Sequence, residues 1–193
     1  PEFTMQWRED IPVVTPRDSS GEVSVQVIAG RYDDVDALAP PTASWAANPD
    51  ADVALWLINL GPNSSVTLPA TASDATERML YIHGDGAAVT VDGHRLADGD
   101  GYYQRDTEAL TVTTAAESAL VLVLQGVPID EPLVARGPFV MNSEEEIMQA
   151  YKDYRRTQFG GWPWPSTAPV HDLDSPRFAQ HGDGRLEHPA GAR

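Results

Sequence analysis

At 193 residues, 41% hydrophobic and 22% charged, the chain is long enough for one sizeable core plus extensions and reads as soluble and globular. Its formal charge of −16 repels a phosphate backbone with no basic stripe to offset it, which argues against direct nucleic-acid binding, and no run of 18 apolar residues offers a membrane span. The absence of cysteine excludes disulfides, thiol nucleophiles and cysteine-ligated zinc or iron–sulfur centres.

Pro1-Glu2-Phe3-Thr4 looks like the remnant of a cleaved expression tag, the mark of a piece of a longer protein. Residues 1–20 are expected to hold this remnant and an extended lead-in anchored by Trp7 and Ile11. No charged-then-apolar leader is present, which favours the cytoplasm. Residues 22–31 alternate, with Val23, Val25, Val27 and Ala29 on one side, and predict a half-buried strand. Residues 33–50 are rich in Asp, Ala and Pro and read as a loop longer than a compact domain keeps without purpose. Residues 52–60, DVALWLINL, are apolar on both faces and predict a central buried strand.

After the turn Gly61-Pro62-Asn63, residues 64–68 predict a short strand with Ser65 and Thr67 on one face, and 69–77 a loop. Residues 78–83 form the next predicted strand, broken by Gly84-Asp85-Gly86 before a strand at 87–91. Asp92-Gly93 carries the dipeptide of a type I′ hairpin turn. Strands at 99–104, 109–114 and 119–124 follow at short spacings. Such spacing means an antiparallel sandwich or barrel, placed at 21–127. The run YIHGDGAAVTVDGHRLADGDGYY resembles a cupin half-barrel, a likeness of fold that carries no chemistry.

Residues 128–160 contain the one convincing helix. Ser143 and Glu146 spell a capping box behind three acidic residues at 144–146. Ile147, Ala150, Tyr151 and Tyr154 share a face, which predicts a surface helix packing one stripe on the β-core. Arg155 and Arg156 suit the last turn, and Gly160 is the expected left-handed stop. Residues 161–193 show no periodicity and predict a Pro-rich tail, disordered from about residue 180. The fold class expected is therefore mostly β: a cupin-like barrel or jelly-roll sandwich with one C-terminal α-helix and an irregular tail.

Cupin enzymes hold a metal with two His one residue apart on a strand, a nearby carboxylate and a later His. The strand aligned by pattern with that pair offers Ser65 and Thr67, and the strand ending near Gln125 has no His. His83 and His94 are separated by a Gly break and a tight turn and are expected to be satisfied or solvent-facing. His171, His181 and His188 fall in a tail that does not fix ligand geometry, with His171, Asp172 and Asp174 the weak remaining combination. There is no phosphate cradle and no nucleophile elbow, since Gly84-Asp85-Gly86 leads into a strand. Asp33-Asp34 and Glu144 to Glu146 read as solvated or capping carboxylates. No catalytic, cofactor-binding or metal residue is assigned. Trp56, Tyr81 and Tyr103 could line a small-molecule site in an empty barrel, although a dry aromatic core is the simpler account. Phe159, Trp162 and Trp164 form either a patch that contacts a partner or missing domain, or a clasp seating the helix on the barrel; the clasp is favoured.

One segment is denser in signal than the rest. Gly126-Val127-Pro128-Ile129 with Glu131-Pro132, Gly137-Pro138-Phe139-Val140-Met141-Asn142, Glu146-Ile147, Gln149-Ala150, Asp153-Tyr154 and Phe159-Gly160 closely resemble the C-terminal signature of the pirin family. The resemblance is strong over 126–165, through Trp162-Pro163-Trp164-Pro165, and pattern-level upstream. It implies two cupin domains in tandem. The N-terminal one carries Fe or another divalent transition metal on His and Glu ligands; the C-terminal one, matched here, has lost them. This chain is then expected to hold no cofactor and to partner the N-terminal cupin of its parent, with a metabolic enzyme or regulator as a further protein partner. Two functions follow. One is a metal-free structural and protein-interaction module of a regulatory bicupin, not itself an enzyme. The other is part of a quercetin 2,3-dioxygenase-like enzyme whose catalytic half lies outside these residues. A missing partner domain would leave apolar surface exposed, with a homodimer as one way to cover it.

Overall fold

A computed structural model describes residues 4–84, 88–167 and 170–190. The first three residues of the suspected tag remnant, Asp85, Gly86 and Ala87 at the predicted strand break, and the last three residues of the tail lie outside the described residues. The chain divides into two compact units, Pro1–Pro128 and Ile129–Arg193.

The first unit contains β1 (Val13–Val14), β2 (Ser19–Ser20), β3 (Val23–Ala29), β4 (Arg31–Tyr32), β5 (Val35–Asp36), β6 (Ala54–Leu60), β7 (Ser65–Leu68), β8 (Glu77–His83), β9 (Ala88–Val91), β10 (His94–Ala97), β11 (Gly101–Gln104), β12 (Leu110–Thr114) and β13 (Ala119–Gly126). A six-stranded antiparallel sheet runs β1-β3-β6-β13-β8-β11, and a five-stranded one runs β10-β9-β12-β7-β2. Their facing sides share one core in which Val25, Val27, Ile58, Val66, Leu68, Leu80, Val112 and Val121 are buried. The predicted cupin-like β-sandwich is the observed fold, mostly β with one α-helix among the described residues.

The strands follow from local chemistry. In β3, Val23, Val25 and Val27 point into the core as the alternation requires. Ala29 does not: the register to β6 shifts between Val27 and Ala29, a bulge that leaves Ala29 half-buried. Gly30 follows with φ +75°, and a Cβ there would lie 2.1 Å from the Val53 carbonyl oxygen, so the tight approach after the bulge admits only glycine. Asp92 and Gly93 both have positive φ and join β9 to β10 with His94 opposite Val91, the hairpin the dipeptide predicts. Residues 33–50 are more ordered than a loop. They contain β5 and two three-residue helical turns, Trp45–Ala47 and Pro49–Ala51, capped by the Ser44 hydroxyl and the Asn48 side chain. Turns that short leave no periodic trace in a sequence.

β6 is central, between β3 and β13, as predicted. It is not buried on both faces. Trp56, Ile58 and Leu60 point inward, whereas Leu55 and Leu57 are only half-buried on the other side and Asn59 is exposed.

The second unit contains the hairpin β14 (Val134–Arg136) and β15 (Phe139–Met141), then α1 (Glu144–Thr157), then a small hairpin of β16 (Ala179–Gln180) and β17 (Leu186–Glu187). The capping box forms as read: the Ser143 hydroxyl accepts from the Glu146 amide at 3.2 Å, and the Glu146 carboxylate accepts from the Ser143 amide at 3.1 Å. Arg136 on β14 makes a two-pronged pair with Glu144 at 2.8 and 2.9 Å. Ile147 and Ala150 are buried, while Tyr154 at the end of the predicted stripe is 43% exposed. The left-handed stop falls at Gln158, not Gly160; the Gln158 amide donates to the Tyr154 carbonyl. The tail also departs from expectation, since β16 and β17 lie in and beside the stretch read as disordered. There the His181 amide donates to the Arg185 carbonyl at 2.9 Å, and Arg185 pairs with Glu187.

Candidate functional site

The largest fully buried side chains among the described residues are Trp56, Arg78 and Tyr32, at 2%, 1% and 1% exposure. Arg78 faces inward because it alternates with Leu80 and Ile82 along β8, both buried. Its guanidinium donates through Nε at 2.8 Å to the Gln125 side-chain carbonyl, through Nη1 at 3.2 Å to that of Gln104, and through Nη2 at 2.9 Å to the Pro69 carbonyl. The Gln104 amide donates onward to Asp106 Oδ1 at 2.9 Å and the Gln125 amide to the Asp52 carbonyl at 3.2 Å. Arg78 Cζ lies 5.7 Å from the Trp56 ring centroid, and Tyr32 meets that ring edge-on at 4.9 Å.

The direct partners of this buried cation are neutral oxygens. Burial lowers the Arg78 pKa, and the negative charges of Asp52 and Asp106 act against that fall. An arginine nonetheless keeps its proton in a protein. Burial, with Asp33 and Asp18 nearby, pushes the Tyr32 phenol well above its ordinary value, so it is no base at neutral pH. Trp56 Nε1 is a buried donor without a hydrogen-bond partner among the described residues.

A cupin metal does not fit this interior. Between the sheets lie the hydrocarbon core and the Arg78 guanidinium with its glutamine partners. Among the described residues, no three His, Cys, Asp or Glu side chains form a group that could hold an ion. Ser65 and Thr67 do not line the interior either. They lie on the outer side of the five-stranded sheet, with the Thr67 and Thr111 hydroxyls 3.3 Å apart, while Val66 and Leu68 point inward. His83 is exposed with Nδ1 3.3 Å from Asp98, and His94 is exposed 6.0 Å from the Tyr102 ring. His171 meets Phe178 edge-on at 5.0 Å, His181 contacts Glu187 at 3.1 Å, and His188 lies 3.2 Å from the Arg177 carbonyl.

The predicted aromatic positions separate. Trp56 is core, but Tyr81 and Tyr103 are 44% and 38% exposed on the outer side of the six-stranded sheet, because β8 buries Arg78, Leu80 and Ile82 instead. Trp45, Val53, Met79, Tyr81, Tyr103 and Leu124 there line an open groove of about 440 Å³. The Trp45 indole donates to the Val127 carbonyl at 3.0 Å, which fixes one wall. Tyr103 is bonded to Glu77, whose carboxylate raises the phenol pKa, and Arg105 lies over its ring at 5.3 Å. Phe159 and the two tryptophans form two groups. Phe159 meets Tyr154 at 5.3 Å and Phe139 at 6.0 Å, whereas Trp162 meets Trp164 at 6.5 Å. The sequence reading missed Arg78, although the period-two pattern of RMLYIH places it beside Leu80 and Ile82.

Residues 55–160 match the pirin C-terminal cupin domain. The chain belongs to the pirin family. A provisionally named quercetin 2,3-dioxygenase of Pseudomonas aeruginosa is 36% identical over 154 residues, 77% of this chain and 51% of its own length. Pirin of Rattus norvegicus is 40% identical over 82 residues, 42% of this chain and 26% of that protein. A crystal structure of quercetin 2,3-dioxygenase from Acinetobacter baumannii superposes with a TM-score of 0.61 at 28% identity, covering 78% of this chain and 48% of that one. The chain thus spans about half the length of the pirin relatives it matches most fully. Among the described residues, no helix is long and apolar enough to cross a membrane.

Proposed function

We propose that this pirin-type cupin domain works by shape and contact: a metal-free structural and protein-interaction module of a regulatory bicupin. The observation that carries this reading is the buried Arg78 guanidinium between the sheets, where a fixed cation opposes a metal ion. The role falls to the surface, where the domain packs on an N-terminal cupin of its parent and presents a face to a protein partner, a metabolic enzyme or regulator of the cytoplasm. Fe or another divalent transition metal belongs, on this reading, to the N-terminal half. Elemental analysis of the purified chain after incubation with ferrous iron, followed by dialysis, tests it. The expected result is no stoichiometric metal and no turnover of quercetin; either one found in this chain overturns the proposal.

A second reading draws on the quercetin 2,3-dioxygenase names among the relatives. The parent is then an oxygenase, and this half shapes or covers the active site of the other. Quercetin turnover by the full-length gene product, lost when this domain is deleted, favours that reading.

A further inference from the structure

We propose that the sandwich interior binds a small monovalent anion of halide size, such as chloride, which accepts hydrogen bonds from the Arg78 guanidinium and the Trp56 indole. This goes beyond the contact-module reading and does not depend on it. The strand register brings the two donors to one end of the interior. Ala54, Gln125, Arg78 and Gln104 are cross-strand neighbours in one inward row, and Trp56, Val123, Leu80 and Tyr102 form the next. Arg78 Nε and Nη2 both donate to the Gln125 side-chain carbonyl, at 2.8 and 2.5 Å. Nη2 also donates to the Pro69 carbonyl at 2.9 Å, and Nη1 to Gln104 at 3.2 Å. A guanidinium carries a second proton on Nη1, and it meets no acceptor among the described residues. The Trp56 indole proton is another such donor, on a ring 2% exposed whose centroid lies 5.7 Å from Arg78 Cζ.

Charge points the same way. Asp52 and Asp106 are the carboxylates that act on Arg78 through space, and both are turned to other donors. Asp52 Oδ2 accepts from the Ala72 amide at 3.0 Å and the Thr76 hydroxyl at 2.7 Å. Asp106 Oδ1 accepts from the Gln104 amide at 2.9 Å and the Glu108 amide at 3.2 Å. A buried charge with no direct counter-charge is costly. Water would supply an acceptor, but it brings no charge and must place its own protons. A halide only accepts, and its charge offsets the guanidinium. The net charge of −16 opposes anions over the surface as a whole, so the interior guanidinium is what makes this one place favourable. Close packing of Trp56 against Tyr32, edge-on at 4.9 Å, favours a monatomic ion over phosphate or a carboxylate. The way in lies at the same end. Gly30, Asp52, Ala54 and Gln125 line a pocket of about 420 Å³, and the last two belong to the row of Arg78.

Two measurements test the site. Crystals of the chain soaked in sodium bromide, with data collected at the bromine absorption edge, should show an anomalous peak within hydrogen-bond distance of Arg78 Nη1 and Trp56 Nε1. Melting temperature at fixed ionic strength should rise and saturate as chloride or bromide replaces gluconate. Trp56→Phe keeps an aromatic ring and removes the N–H; it should weaken the apparent halide affinity about tenfold, with circular dichroism confirming the fold. Bromide peaks confined to the surface overturn the proposal, as does a water that bromide does not displace. So does melting that follows ionic strength alone, or a halide response that Trp56→Phe leaves unchanged. Should Trp56→Phe fail to fold, the anomalous map decides by itself. Iron in the chain or quercetin turnover would refute the contact-module reading and leave the bromide result standing.

Discussion

The two sheets of the sandwich have opposite outer surfaces. Across the five-stranded sheet one outward row reads Ser20, Ser65, Thr113, Thr90, Arg95. Across the six-stranded sheet the comparable row reads Val13, Gln26, Leu57, Leu122, Tyr81, Gly101. Both sheets contribute to the same core, so stability of the core does not explain the contrast. Hydroxyls on a pleated surface bond each other and water; leucines there gain only when something dry covers them. The polar sheet is finished as a solvent surface, and the apolar one is not.

The interiors of the sheets differ in the same direction. Arg78 of β8 reaches Gln104 of β11 and Gln125 of β13, so one guanidinium ties three strands of the apolar-faced sheet. Replacing it breaks the comparison most severely. Arg78→Met leaves two glutamine carbonyls and the Pro69 carbonyl short of donors, and should lower unfolding free energy by about 3 kcal/mol, measured by urea denaturation. Next comes a matched pair of surface changes. Leu122→Asp should cost about 1–2 kcal/mol in this chain, whereas Thr113→Asp, at the corresponding place on the polar sheet, should stay within about 0.5 kcal/mol. Equal costs would erase the distinction between the faces.

Alkaline titration gives a smaller effect. The Tyr32 phenol is raised in the folded state, so its contribution is fully present below the unfolded tyrosine pKa of about 10 and is lost as pH rises through the folded value. Melting temperature should fall as pH rises from about 10 toward the folded value, and Tyr32→Phe should flatten the fall. The smallest effect lies in the second unit. Glu144 is held below the usual carboxylate range by its hydrogen bond to Arg136, so its help is present above the unfolded Glu pKa and fades as pH drops through the folded one. Glu144→Gln should remove a slight acid sensitivity from the melting curve and leave the neutral value nearly unchanged.

Much of this was legible in the residues. The Asp92-Gly93 hairpin and the Ser143–Glu146 box formed where their chemistry required. The double-sided apolar pattern of residues 52–60 correctly marked a central strand, but not one buried on both faces, since Leu55 and Leu57 are only half-buried and Asn59 is exposed. Three features escaped for physical reasons. A one-residue bulge at Val27–Ala29 shifts register without changing composition. Tyr81 and Tyr103 look like core residues until the strand commits its other side inward. Arg78 escaped because an ionisable side chain is ordinarily a solvent residue, and only the three acceptors brought together by folding make its burial tolerable.

That guanidinium also bears on redesign. Grafting imidazoles into the sandwich to create a catalytic centre would place an incoming dication beside a resident positive charge in a medium that screens poorly. The first change in such an effort would have to be at position 78, and the glutamines that now face it would need new donors before any metal could settle.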